Sequence, residues 1–199
     1  MSELFTVDRV TYGYYTSRGS KFSSYIHPID KIDEYRLILN QYKRNNPKAC
    51  HVCSAYCIEV NDRIDEYASD DGEPSGSSGQ PILGVIKRNK LVNVGIFVIR
   101  IYGGVNLGIS GLIKSYGISA ENSLEYAKFI KHVDVVTLTI KTSYNYVNII
   151  DRVVMKYDVK VIDRSFDNNV IIVIKISESM VNLFKVELNE LGKGKINIF

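Results

Sequence analysis

The sequence predicts an α+β protein in two units, residues 1–131 and 132–199, and three observations carry that expectation. Leu91–Ile101 holds Val92, Val94, Ile96, Phe97, Val98 and Ile99 almost without interruption, as a central strand covered on both faces does. From Val133 the apolar spacing alternates between two and 3.6 in the order β-α-β-β-α-β, the split ferredoxin-like arrangement. A chain of 199 residues with 45% hydrophobic and 24% charged residues can build one large core or two small ones.

In order, Phe5, Val7, Val10 and Tyr12 alternate with polar residues as a strand would, with one slip. Gly13–Gly19 reads as a turn and Lys21–Ile26 as a second strand. Asp30 is placed to cap a helix over Lys31–Arg44, where Ile32, Tyr35, Leu39 and Tyr42 share a face. His51–Val60 reads as a strand. One face carries His51, Cys53, Ala55, Cys57 and Glu59; the other carries Val52, Ser54, Tyr56, Ile58 and Val60. Asp62–Gly79 reads as a long loop, a length that in a compact domain marks function or disorder. Pro81 is favoured at a helix start and opens a short helix to Arg88, with Ile82, Leu83, Val85 and Ile86 inward. After the central strand, Tyr102–Gly108 is a glycine-rich turn leading into a helix near Ser110. That helix turns Leu112, Tyr116, Ala120, Leu124 and Ala127 inward, and Gly117 within it reads as a point of close packing.

In the second unit the strands are Val133–Thr142, Val159–Phe166, Val170–Ile176 and Ile196–Phe199. Asp167-Asn168-Asn169 turns the chain between the middle two. Tyr144–Tyr157 is helical. A second helix, capped by Ser177 or Ser179, runs to Leu191 with Met180, Leu183, Phe184, Val186 and Leu188 available for burial.

The chemistry concentrates in Ser69–Pro81, read S-D-D-G-E-P-S-G-S-S-G-Q-P. Gly72, Gly76 and Gly79 leave backbone N–H groups uncovered, which suits an anion or a tight turn. Asp70, Asp71 and Glu73 suit a hard cation or a general base. The third reading is a solvated loop that turns the chain into the next helix. Arg100, at the exit of the central strand, has these carboxylates as natural partners. Tyr102, Gly103, Gly104 and Gly108 form a second glycine turn before a helix, a layout that favours anions and equally serves as a packing turn. His51 at a strand start is a hydrogen-bonded structural residue or a functional one.

Other chemistries find no pattern. No Walker, calcium-loop or G-x-S-x-G sequence is present, and no metal or cofactor fingerprint. Cys50, Cys53 and Cys57 lie within eight residues on one strand. Cys50 points away from the other two, and Cys53 and Cys57 are about 13 Å apart along an extended chain. They read as small apolar residues of a protein in a reducing cytosol. The net charge of +3 is spread over both halves, so tight nonspecific nucleic-acid binding is not implied. Glu3, Asp8 and Arg9 interrupt any leader, and no run is long enough to span a membrane.

The block Ser69–Leu83 closely resembles the signature of the IMPACT family, whose bacterial members are YigZ-like. Three further blocks agree in order and spacing: Arg100-Ile-Tyr102-Gly103-Gly104-Val-Asn-Leu107-Gly108 on to Gly111, Lys114 and Tyr116; Pro47-Lys-Ala-Cys-His51-Val-Cys53-Ser-Ala55-Tyr56; and Ser20-Lys21-Phe22. The chain departs from the pattern at Val52, where many members carry a second His, so no role resting on a His pair carries over. The resemblance implies a first unit with the fold of small-subunit ribosomal protein five, domain two. It implies a second unit similar to a ferredoxin-like domain of elongation factor G.

Eukaryotic members act in general amino-acid control by competing for an activator of a translation-initiation kinase. The resemblance thus implies a cytoplasmic, non-enzymatic regulatory or binding protein without a cofactor. Its partner would be a protein or a ribosome or RNA component of the translation apparatus, with no membrane and no DNA specificity. The expected binding set is His51, Asp70, Asp71, Gly72, Glu73, Pro74, Gly76, Gly79, Arg100, Tyr102, Gly103, Gly104, Gly108 and Lys114. Two alternatives stand beside it. An enzyme, a hydrolase or phosphoryl transferase, would need His51 and an acidic-loop carboxylate to converge. A nucleic-acid binder would need a stripe joining Lys87, Arg88, Lys90 and Lys114, since no RNP-like aromatic strand is apparent.

Overall fold

The computed structural model describes residues 3–60, 63–157 and 159–199. The chain divides into two compact units, Met1–His132 and Val133–Phe199. The first unit is built on a five-stranded sheet in the order β2-β3-β6-β4-β5, antiparallel throughout. Its strands are β2 (Thr11–Ser17), β3 (Ser20–Pro28), β4 (His51–Val60), β5 (Arg63–Ser69) and β6 (Val94–Ile101). A separate ribbon pairs β1 (Phe5–Val7) with β7 (Phe129–Lys131).

Strand alternation divides this unit into two cores. Phe22, Ile26, Cys53, Ala55, Cys57, Ile96 and Val98 face α2 (Gly79–Arg88) and α3 (Gly108–Asn122), which insert Ile82, Val85, Ile86, Leu112, Tyr116 and Ala120. On the opposite face α1 (Ile32–Asn45) lays Tyr35 over Tyr56, Ile58, Phe97 and Ile29. Strand β6 is therefore covered on both sides, as its unbroken apolar run requires.

The second unit has the order β8 (Val135–Thr142), α4 (Val147–Lys156), β9 (Lys160–Phe166), β10 (Val170–Ser177), α5 (Val181–Leu191) and β11 (Asn197–Ile198). Its antiparallel sheet runs β11-β8-β10-β9. Numbered within the unit this is 4-1-3-2, the ferredoxin-like order. Ile140, Ile172 and Ile174 pack against Ile150, Val153, Phe184 and Leu188.

Several local expectations are corrected. Asp62 lies outside the described residues, but Arg63–Ser69, expected within a loop, is a strand paired with β4. It forms the sheet edge, where charged residues are tolerated and no clean apolar face is needed. Gly13 lies inside β2 rather than in a turn. A Cβ there would come within 2.3 Å of the Ser123 backbone nitrogen, so the glycine marks the close approach of the end of α3. Asp30 does not cap α1; Lys31 occupies that position without a side-chain hydrogen bond. Pro81 is the third residue of α2, not the first. Gly117 is no packing point, since a Cβ there would meet nothing within 4 Å. Ser177 and Ser179 bond each other at 2.8 Å instead of capping α5, which begins through a tight turn at Glu178–Met180. Of the apolar residues offered to α5, Phe184 and Leu188 are buried, whereas Met180, Leu183 and Val186 stay exposed.

Candidate functional site

The acidic ribbon is a short loop, Asp70–Ser78, joining β5 to α2. Its glycine amides do cradle an anion, and the anion is the loop's own. The Asp70 carboxylate accepts the N–H groups of Gly76 (2.8 Å), Ser78 (3.0 Å) and Gly79 (2.8 Å), and the Ser78 hydroxyl at 2.7 Å. Burial works to raise the pKa of Asp70. The bonds from Ser78, Gly76 and Gly79 together outweigh it and hold the carboxyl below its usual range. This arrangement places the start of α2 at Gly79 instead of Pro81, because an external carboxylate satisfies the first free amides. Gly79 is obligatory for a second reason: a Cβ there would lie 2.7 Å from the Ser69 backbone nitrogen.

Asp71 turns the other way. Its Oδ2 accepts the Val52 N–H at 2.7 Å, and Oδ1 pairs with Lys43 of α1. Its carbonyl meets His51 Nδ1 at 2.7 Å. A carbonyl only accepts, so Nδ1 carries the hydrogen and a neutral His51 ring leaves Nε2 as an acceptor. The ring also lies 3.4 Å from where a Gly72 Cβ would stand. Beside it opens a shallow hollow of about 220 Å³, lined by Lys43, Asn46, Ala49, Cys50, His51 and Asp71.

Glu73 is the buried member. Its Oε1 accepts from Arg100 Nη1 at 2.5 Å and from the Tyr116 hydroxyl at 2.8 Å. The two side chains of the ion pair are only 4% and 7% exposed. Strand alternation explains the placement: Arg100 continues the parity of Val94, Ile96 and Val98, so it points to the α2–α3 side, where Tyr116 projects from α3. The guanidinium lies 5.6 Å from both the Phe22 and Tyr102 ring centres, a cation–π sandwich. Tyr116 also bonds the Cys53 sulfur at 3.3 Å. Burial, reinforced by Cys53 and Glu73, pushes its phenol far above the usual range, so it stays a neutral donor. Burial likewise raises the Cys53 thiol to about 12.

The expected set thus resolves into linked groups. Asp70, Gly76 and Gly79 shape the loop. Asp71, Gly72 and His51 tie it to β4. Glu73, Arg100 and Tyr102 lock it to the second glycine turn. In that turn Gly103 donates its N–H to the Ser20 hydroxyl at 3.2 Å, and a Cβ on Gly103 would come within 1.9 Å of the Gly19 carbonyl carbon. Gly104 and Gly108 are open, and Pro74 is exposed with its carbonyl accepting the Ser77 N–H. Lys114 stands apart on the exposed face of α3 and makes no ion pair among the described residues.

Each loop carboxylate accepts from a donor, and His51 Nδ1 meets the Asp71 carbonyl, with His51 and Asp71 both lining the shallow hollow. The four positives do not form one free stripe: Lys87 pairs with Glu66 at 2.7 Å and Arg88 lies 3.6 Å from Glu121. Sequence reasoning missed Tyr116, Ser78 and Lys43 as partners. A tyrosine on an inward helix stripe facing an acidic loop was the available signal.

Around the second turn the surface changes character. Tyr102, Val105, Ile109 and Ile113 are 44%, 48%, 60% and 44% exposed within twelve residues, with Ile109 and Ile113 one helical turn apart.

The Impact N-terminal domain model matches residues 18–124. An IMPACT family member of Haemophilus influenzae is 28% identical over 182 residues, covering 91% of this chain and 88% of the relative. IMPACT family member YvyE of Bacillus subtilis is 30% identical over 179 residues, covering 90% and 82%. IMPACT family member YigZ of Escherichia coli is 24% identical over 182 residues, covering 91% and 89%. A crystal structure of a hypothetical protein shares the fold across 100% of this chain and 97% of its own, with a TM-score of 0.77 and 22% identity. With the acidic loop, the Arg100 lock and the second glycine turn all inside the matched span, the chain belongs to the IMPACT family.

Proposed function

We propose that this chain is a regulatory binding protein that works in the cytoplasm with the translation apparatus. It docks a protein partner on the face formed by the Tyr102–Leu107 turn and the first half of α3. The observation that carries the reading is the cluster of exposed apolar side chains Tyr102, Val105, Ile109 and Ile113 on a rigid base. Contiguous apolar surface of this kind, with a polar rim, is what interaction sites present. The base is rigid because Tyr102 stacks on the guanidinium that Glu73 holds. Lys114 at the rim suits an acidic residue on the partner. The link to translation rests on family membership. None of the loop carboxylates is free to act as a base, which disfavours the hydrolase alternative.

Capture from native cytosol tests it, with Ile109→Asp/Ile113→Asp as the variant. Both side chains are exposed, so the variant is expected to fold. Recovery of a ribosomal particle or translation factor by the parent protein, lost in the variant, is the expected result. Equal recovery by both would sink the assignment of this face.

A further inference from the structure

The first unit carries a second surface that the docking face does not use. Residues Tyr12, Tyr14 and Thr16 of β2 alternate away from the α2–α3 core and stand beside Tyr25, Ser23 and Lys21 of β3 in register. Tyr12 and Tyr14 are 47% and 42% exposed. The Tyr12 ring lies 5.2 Å from that of Tyr25, which in turn stacks on Tyr42 of α1 at 4.8 Å. The Tyr12 ring is thus braced through Tyr25 and Tyr42, and Tyr14 stands exposed beside it on the same face. Arg18 at the hairpin turn and Lys21 are exposed and make no ion pair among the described residues. Among those residues, no carboxylate belongs to this face between Tyr12 and Lys21.

We propose that the β2–β3 face binds single-stranded RNA, with bases stacked on Tyr12 and Tyr14 and phosphates met by Arg18 and Lys21. The two rings are spaced about 7 Å along the strand, the scale on which neighbouring bases of an extended chain lie. Stacking on the braced Tyr12 ring costs little side-chain ordering, and the cationic end of the face complements a polyanion. The Thr16 and Ser23 hydroxyls sit between the rings and Lys21. They offer donors and acceptors to a ribose 2′-OH, which selects RNA over DNA.

The test is fluorescence anisotropy of the full chain with a labelled, unstructured RNA oligonucleotide of mixed sequence at low salt. Tyr14→Ala, at a ring that makes no ring–ring contact among the described residues, is expected to weaken binding about fivefold to a hundredfold, and Tyr14→Phe to retain it. Lys21→Gln is expected to flatten the dependence of log K on log salt by about 0.7. Tyr126→Ala removes a still more exposed ring elsewhere and leaves affinity unchanged. Circular dichroism confirms folding of each variant, and Thr16→Glu supplies a second disruption that removes no ring. The proposal is overturned if the folded parent shows no binding, or if Tyr14→Ala and Thr16→Glu both bind as the parent does. Equal affinity for DNA of the same sequence overturns the assignment to RNA. Because Ile109→Asp/Ile113→Asp leaves this face intact, that variant is expected to bind the oligonucleotide normally.

Discussion

Replacing Glu73 by Ala should destabilise the first unit severely, and the reason is the charge left behind. Arg100 is 7% exposed at its side chain, its Nη1 bond to Glu73 would vanish, and its Nε already has no partner among the described residues. The two rings that sandwich the guanidinium cannot replace a carboxylate. Breaking one side of a buried pair costs about 3–5 kcal/mol. For a unit of this size that lowers the melting temperature by about 10–20 °C. The chain has no tryptophan and most of its tyrosines precede residue 132, so near-ultraviolet circular dichroism of the full chain reports this unit. The diagnostic comparison is Glu73→Leu/Arg100→Met, which removes both charges and keeps apolar volume. If the stranded charge is the cause, the double variant melts well above Glu73→Ala. A double variant as unstable as Glu73→Ala, or a loss below about 1 kcal/mol in the single one, would refute the reasoning.

Three further outcomes follow from the same geometry. Burial pulls the His27 pKa from 6.5 down to about 4. A depressed folded value means stability is full above pH 6.5 and lost as pH falls towards 4, so His27→Gln should flatten the stability profile in that window. Gly117→Ala should stabilise by about 1 kcal/mol, because the added methyl meets nothing and the helix gains propensity; a lower melting temperature would contradict this. Cys50 is exposed while Cys53 and Cys57 are buried with thiols raised to about 12. A thiol reagent should therefore label Cys50 alone in the native protein and all three after denaturation, as peptide mapping would show.

What could be read from the residues depended on how locally each feature is encoded. The β6 strand and the βαββαβ order announce themselves by apolar periodicity. Strand β5 did not, because an edge strand exposes Ile64 and Tyr67 and mixes them with Arg63, Asp65 and Glu66, and such a stretch looks like a loop. The pairing of Arg100 with the acidic ribbon was legible from charge alone. Which carboxylate it chose was not, since Asp70 and Asp71 are drawn away by backbone amides whose directions no sequence pattern states. Likewise the glycines advertised an anion cradle, but only the fold reveals that Asp70 fills it. Tyr12 reads as a strand residue, but Tyr14 beyond it is hidden because Gly13–Gly19 resembles a turn.

The Asp70 bonds also bear on the order of assembly. They close rings of only six to nine residues, whereas Glu73 must find Arg100 and Tyr116 at separations of 27 and 43. Short closures cost less chain entropy and form sooner than long ones. The loop is therefore expected to take its shape as a local nucleus ahead of the sheet around it, with the amides of Gly76, Ser78 and Gly79 among the first protected in pulsed hydrogen exchange. On that timetable the ribbon is already shaped when β6 arrives, and Arg100 meets a waiting Glu73.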